Sequence, residues 1–191
     1  MNIAVIGNGN IGSGLAKVLA DAGHEVRVAG RGGDIPAAVG AADTVVLATP
    51  YGAIADVAGR ADFTGKLVID LSNPVTEDFQ GLQLGHSTSA AEEIAARLPG
   101  ARVVKALNTI FAQHYSSGLK VNGQPLQTFV ASDDAEARGT VKALVESIGV
   151  QAVDAGPLKN ARYLEPLGYM NIQLGYMLGQ GTGIAPRWQL A

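Results

Sequence analysis

The run Gly7-Asn8-Gly9-Asn10-Ile11-Gly12 constrains this chain more than any other stretch of it. It follows directly on the apolar segment "NIAVIG" (2–7) and leads into "IGSGLAKVLADAG", which has helical spacing. Glycines at the first, third and sixth places of a strand-to-helix turn have separate duties. Gly7 permits the tight turn, Gly9 omits a side chain that would block a diphosphate, and Gly12 lets helix and strand pack closely. Anions settle at such a helix start because its first N–H groups lack partners and face outward at the positive end of the dipole. The pattern predicts a dinucleotide held by Gly7, Asn8, Gly9, Asn10, Ile11 and Gly12.

The remaining sequence agrees with that beginning. Val- and Ile-rich runs at 25–30, 43–50, 66–74, 102–107, 127–132 and 150–156 read as strands, several apolar almost throughout, as strands covered on both faces are. Helical segments stand between them, one opened by a capping box in which Ser89 precedes Glu92 by three residues. This alternation predicts an α/β fold of the Rossmann type, doubly wound around a mainly parallel sheet. Only about a dozen residues separate Arg31 from Asp43. A full nucleotide-binding half places a helix, a strand and another helix there, so the first half is expected to be shortened, with 25–30 at or near the sheet edge. We expect one dinucleotide-binding domain over 1–156, with 157–191 as a C-terminal helical segment packed on it.

The second strand bears on the cofactor. An NAD site places an acid about 20 residues beyond the glycine turn to accept from the ribose hydroxyls. Here Gly30 and Arg31 stand at that reach. A carboxylate there would repel a 2′-phosphate, whereas a guanidinium pairs with it and stacks on adenine. We therefore expect NADP (NADPH) over NAD, with Gly30 letting the phosphate approach the backbone. The plainer alternative is a solvated Arg31 with Asp34 on the ribose, and no second Lys or Arg stands nearby in the sequence.

Ligands in an open parallel sheet lie beyond the carboxyl ends of its strands. Those ends supply Ala48, Thr49, Pro50 and Tyr51, then Asn73 and Pro74, as further cofactor contacts, and Asn108, Thr109 and Ile110 on the substrate side. Uncharged polar groups beside prolines suit a nicotinamide carboxamide and its ribose, although such pairs also end strands for structural reasons. No acid–base pair, nucleophile elbow or metal-ligand spacing emerges. His24 reads as a turn residue; His86 and His114 fall in loops near the cleft, and Lys105 inside a strand is expected to reach a carboxylate or carbonyl. Hydride transfer tolerates this scarcity, because the protein need only stack two rings while the acceptor draws its proton from solvent.

Composition excludes other classes. A net charge of −3 leaves no basic footprint for nucleic acid or anionic lipid, and without cysteine there is no thiolate chemistry. Apolar runs are too short to span a membrane, and "MNIAVIG" reads as a core strand and not a signal peptide. A cytoplasmic protein is the expectation.

The combination of "GNGNIG", "LSNPV", "STSAAEEIA", "VVKALNTIF" and "GPLKNARYLEP" resembles the NADPH-dependent oxidoreductases grouped with coenzyme F420:NADP oxidoreductase, and is similar to STEAP-type reductase domains. The resemblance runs nearly the whole length of the chain. It implies hydride transfer between NADPH on the glycine turn and a flavin or deazaflavin above the nicotinamide, Arg31 facing the 2′-phosphate, and Asn108, Thr109 and Ile110 bordering the acceptor. Two features depart from the pattern: Asn108 stands where deazaflavin users tend to carry His, and the 31–43 interval is short, as in a compact bacterial subgroup. A quinone or metal chelate is an equally open acceptor. Two other readings stand beside it, a small imine or hydroxy-acid reductase and an NADP-binding redox sensor without turnover. The last segment, "NARYLEPLGYMNIQLGYMLGQG", reads as one helix apolar around much of its circumference, so a homodimer through it is expected. Trp188, in the tail, is a candidate to pack over the cleft mouth.

Overall fold

The computed structural model describes residues 1–189. Its first half is built as the alternation requires: β1 (Asn2–Ile6), α1 (Asn10–Asp21), β2 (Glu25–Ala29), α2 (Ile35–Gly40), β3 (Thr44–Leu47), α3 (Ile54–Arg60) and β4 (Leu67–Asp70). The second half adds α4 (Ala90–Arg97), β5 (Arg102–Lys105), the short pair β6 (Lys120–Val121) and β7 (Gln124–Pro125), β8 (Gln127–Ala131), α5 (Ala135–Ser147), β9 (Gln151–Gly156) and α6 (Ala161–Ile172). Seven strands form one sheet in the order β2-β1-β3-β4-β5-β8-β9. Every neighbouring pair is parallel except β5 and β8, which meet antiparallel at Lys105 and Ala131. The fold is therefore the expected Rossmann-type α/β sheet with one reversal that the sequence reading did not foresee.

The shortened interval is real: a six-residue α2 is all that separates β2 from β3, and β2 is the edge strand. Asp34 caps that helix, its carboxylate accepting from the Ala37 N–H at 2.9 Å. Residues of β1, β3 and β4 are buried on both faces. On one face they pack with Leu15 and Leu19 of α1 and Val141 and Leu144 of α5; on the other, with Val39, Ile54, Val57 and Ile94 of α2, α3 and α4.

Helix α4 begins at the expected capping box, Ser89 Oγ accepting from the Glu92 N–H at 3.2 Å. Its start is also where α6 is fastened. The Glu165 carboxylate accepts from Ala90 N (2.9 Å) and Ala91 N (3.1 Å) and stands 2.9 Å from Lys105 Nζ. Lys105 reaches both the Asp70 carboxylate, at 2.7 Å, and the Ser72 carbonyl, as its position in a strand suggested. All three ionic groups are buried. Two carboxylates against one ammonium are tolerated because the free N–H groups of α4 supply the missing positive potential. A bidentate pair between Arg162 and Glu92, at 2.9 and 2.6 Å, adds a second tie and holds the Glu92 carboxyl below its ordinary range.

The single C-terminal helix expected through residue 181 ends its α-helical course at Ile172 and widens into a π-helical turn over Gln173–Met177. Gly175 sits against Phe111 there, and a Cβ on it would lie 2.8 Å from the ring. Beyond it the chain returns along the sheet. Trp188 packs edge-on against Phe129, with ring centroids 5.7 Å apart, and exchanges backbone hydrogen bonds with the Gln127 side chain. It thus lies on β8 and is not among the residues that line the cleft before Gly9.

Candidate functional site

Helix α1 starts bare. Gly9 is its N-cap and offers no side chain, no acidic residue stands in its first turn, and its first ladder bond runs from Ser13 N to Gly9 O. The N–H groups of Asn10, Ile11 and Gly12 are the helix donors left over. The three glycines behave differently when a Cβ is placed on them. At Gly7, with φ +119°, it would lie 2.3 Å from the Ala48 carbonyl oxygen, and at Gly12, 2.0 Å from the Gly7 oxygen. At Gly9 it would meet nothing within 4 Å. Gly7 and Gly12 are thus required by the protein's own packing, whereas the protein has no packing need for a glycine at position 9. The space it leaves faces a cleft of about 460 Å³ walled by Gly7, Asn8 and Gly9, by Gly30 and Arg31, by Ala48, Thr49 and Pro50, and by α3.

The far wall of that cleft is more basic than the sequence reading allowed. Arg60, from the last turn of α3, lines it together with Arg31. The seven residues of α3 are too few to announce a helix by periodicity; Ile54 and Val57 on one face and Asp56 four residues before Arg60 are the signals the sequence carries for it. Gly30 lines the cleft and is also packed against the chain. A Cβ there would strike the Asn8 side chain at 2.5 Å, so it is Asn8 that needs the close approach. Asp34 is engaged in capping α2 and does not line the cleft.

Tyr51 turns away from this wall. Its hydroxyl donates to Glu93 of α4, and burial followed by that hydrogen bond pushes the phenol up to about 12. Asn10 faces the other side of α1, where with Ser13, Lys17 and Gln113 it borders a separate hollow.

At the carboxyl ends of β4 and β5 the polar residues meet. Asn73 Nδ2 donates to the Asn108 carbonyl at 2.8 Å, and Asn108 Nδ2 donates back to Asn73 Oδ1 at 2.9 Å and to the Leu164 carbonyl at 2.8 Å. Gly168 of α6 lets this pair fit, since a Cβ there would fall 2.5 Å from Asn73 Oδ1. Asn171 donates to the Thr109 carbonyl at 3.1 Å. Asn108, Thr109, Ile110 and Pro74 are buried, and Ile110 belongs to the apolar core beside α1, so it contributes shape and no polar contact. Four buried oxygens in this band lack a hydrogen-bond partner: Thr49 Oγ1, Ser72 Oγ, Asn108 Oδ1 and Thr109 Oγ1. Unsatisfied buried oxygens are uncommon, and these four cluster at the ends of three neighbouring strands. The histidines stand apart from it. His24 contacts Ser147 Oγ and the N-terminal amine, His114 meets the Ile184 carbonyl, and His86 is exposed on a loop.

Residues 2–37 match the family model described as "NADP oxidoreductase coenzyme F420-dependent". The chain is 33% identical to the F420-dependent NADP reductase of Methanothermobacter thermautotrophicus over 91% of its own length and 89% of that protein's. It is 28% identical to the metalloreductase STEAP3 of Rattus norvegicus over 86% of this chain, but spans only 36% of that longer protein. A solved structure of a putative F420-dependent NADP-reductase from Arthrobacter sp. FB24 superposes with a TM-score of 0.83 at 29% identity, covering 94% of this chain and 95% of the other. Fold, glycine turn and relatives together define an NADP-dependent oxidoreductase. The chain belongs to the F420-dependent NADP reductase family.

Proposed function

We propose that the chain is an NADPH-dependent reductase that passes hydride from the nicotinamide to a flavin-like, deazaflavin, quinone or metal-chelate acceptor. The observation that carries this is the empty space in front of Gly9, beside three free N–H donors at the start of α1. A diphosphate fills that space and satisfies those donors at once. The adenosine end then lies along Gly30 and Arg31, and the nicotinamide end passes Thr49 and Pro50 of the same cleft toward the paired Asn73 and Asn108, which lie beyond its lining. In support, Thr49 and Asn108 each keep an oxygen without a partner, and the pairing of Asn73 with Asn108 holds both side chains rigid before a ligand arrives. Rigid placement costs no ordering free energy at the moment of reaction.

The ionic groups nearest this band among the described residues, Lys105, Asp70 and Glu165, are buried and paired with one another, which leaves the polar amides and hydroxyls to face a hydride transfer. NADPH held there would supply hydride to a flavin-like, deazaflavin or quinone ring, with any further proton the acceptor needs drawn from water; a ferric chelate would instead take the electron pair one electron at a time, two ferric ions per NADPH, with release of a proton. The protein's part is to align two planes and keep solvent from between them. We assign residues 1–156 to dinucleotide binding and 157–191 to a C-terminal segment whose described part, through residue 189, packs on that unit; residues 190 and 191 lie outside the described residues. Exposed Tyr163, Met170, Tyr176, Met177 and Leu178 support pairing of two copies through the C-terminal helix. Dependence on the NADPH pool fits a cytoplasmic location.

Absorbance at 340 nm with purified protein, NADPH and a panel of F420, FMN, FAD and ferric chelates tests the reading. Acceptor-dependent NADPH oxidation is expected. Tight NADPH binding with no turnover on any acceptor would favour a redox sensor instead. Sedimentation at dilute concentration tests the dimer.

A further inference from the structure

Arg60 is held in an unusual way for a surface arginine. From the end of α3 its Nη1 donates to the Arg31 carbonyl at 2.9 Å and its Nη2 to the Gly33 carbonyl, also at 2.9 Å. The guanidinium therefore spans the β2–α2 turn and fixes its shape. Five N–H donors sit on a guanidinium, so three remain after these two bonds. Neutral carbonyls orient the group and leave its charge intact. The nearest carboxylate, Asp56, is 3.7 Å away and largely exposed, so it screens that charge weakly. Arg31, one residue past the glycine at the end of β2, is exposed and makes no side-chain hydrogen bond or ion pair with another described residue.

Two guanidinium groups thus share one wall of the cleft, one free to move and one fixed in advance. The shortened chain makes this possible. With only α2 between β2 and β3, α3 packs beside α2 and its last residue reaches the turn. A wall of that kind asks for an anion with more than one charge and several acceptor oxygens, which describes a phosphomonoester and not a ribose hydroxyl pair.

We infer that Arg60 is the second cationic arm of the subsite for the 2′-phosphate of NADPH, preorganised by the carbonyls of Arg31 and Gly33, and that it sets the choice of NADPH over NADH. This rests on the nicotinamide reading above. Arg31 closes on the phosphate from the solvent side; Arg60 meets it from the protein side without losing side-chain freedom on binding.

Calorimetry of NADPH, NADH and adenosine 2′-monophosphate against the wild type, Arg60→Ala and Arg60→Gln tests it. Loss of a charge-assisted contact predicts NADPH and adenosine 2′-monophosphate binding weakened by about 10- to 100-fold in both variants, with NADH altered less than about threefold. Arg60→Gln keeps an amide donor for the turn and drops the charge, so it decides the matter if the alanine variant folds poorly. Equal weakening of NADPH and NADH would make Arg60 a clamp on the turn and overturn the inference, as would NADPH affinity unchanged in both variants. Wild-type protein that binds neither dinucleotide would instead overturn the functional reading itself.

Discussion

Replacing Gly9 by alanine separates what the glycine turn does for the fold from what it does for a ligand. Gly9 has φ −72° and ψ −174°, an extended conformation open to any residue, and a methyl group there meets no protein atom within 4 Å. Two small effects on folding oppose each other. Alanine restricts the unfolded chain and so stabilises by about 0.4–1 kcal/mol, while it is a poorer N-cap than glycine by about 1 kcal/mol. The net change is expected within about 1 kcal/mol, or roughly 2–4 °C in Tm for a domain of this size. Binding responds differently. The methyl projects into the space before the Asn10, Ile11 and Gly12 donors, so a diphosphate must retreat and lose at least one charge-assisted hydrogen bond. Each is worth about 1.5–3 kcal/mol, which predicts NADPH binding weakened by roughly 10- to 150-fold. Thermal melts of the free protein paired with calorimetry would read both quantities on one sample. A Gly9→Ala variant that melts normally and binds NADPH within threefold of the wild type would refute the reasoning.

Three other perturbations have expected outcomes. Gly12→Ala forces a Cβ to 2.0 Å from the Gly7 oxygen, so it is expected to lose folded protein and not merely ligand, read as a collapse of soluble yield or Tm. Lys105→Met leaves the Asp70 and Glu165 carboxylates buried without their ammonium; a loss of roughly 3–5 kcal/mol is expected, seen as a lowered denaturant midpoint. The Glu92 carboxyl is held below its ordinary value of 4.5 by Arg162, so its stabilising contribution is present above that pH and fades as pH falls through the lowered value. Melts from pH 6 down to about pH 3 should accordingly cost the wild type more than Glu92→Gln, and equal losses would contradict the pair's role.

Much of the fold was legible because its signals are local. Strand composition, the Ser89 and Glu92 cap, and the short span from Arg31 to Asp43 all act within a few residues, and they gave the seven strands, the start of α4 and the edge position of β2. The reversal of β8 was not legible, since strand direction is set by the path of the β6–β7 connection and not by the residues of the strand. That connection turns at Asn122-Gly123, both at positive φ, a hairpin signal that stood in the sequence unread. At the site, the packing need for Gly7 and Gly12 follows from spacing alone. The role of Gly30 does not, because its neighbour Asn8 is 22 residues away in sequence, and Arg60 reaches Arg31 across 29 residues through a helix too short to announce itself by periodicity. Burial of Asn108, Thr109 and Ile110 under α6 likewise depends on Glu165 and Gly168, contacts that no local pattern encodes.

Backbone amide spectra of ¹⁵N-labelled protein during titration with NADP⁺ test the central claim most directly. The account predicts that the Asn10, Ile11 and Gly12 resonances move most, downfield and saturably, as their protons bond to the diphosphate. Saturable shifts elsewhere with those three amides unmoved would contradict it.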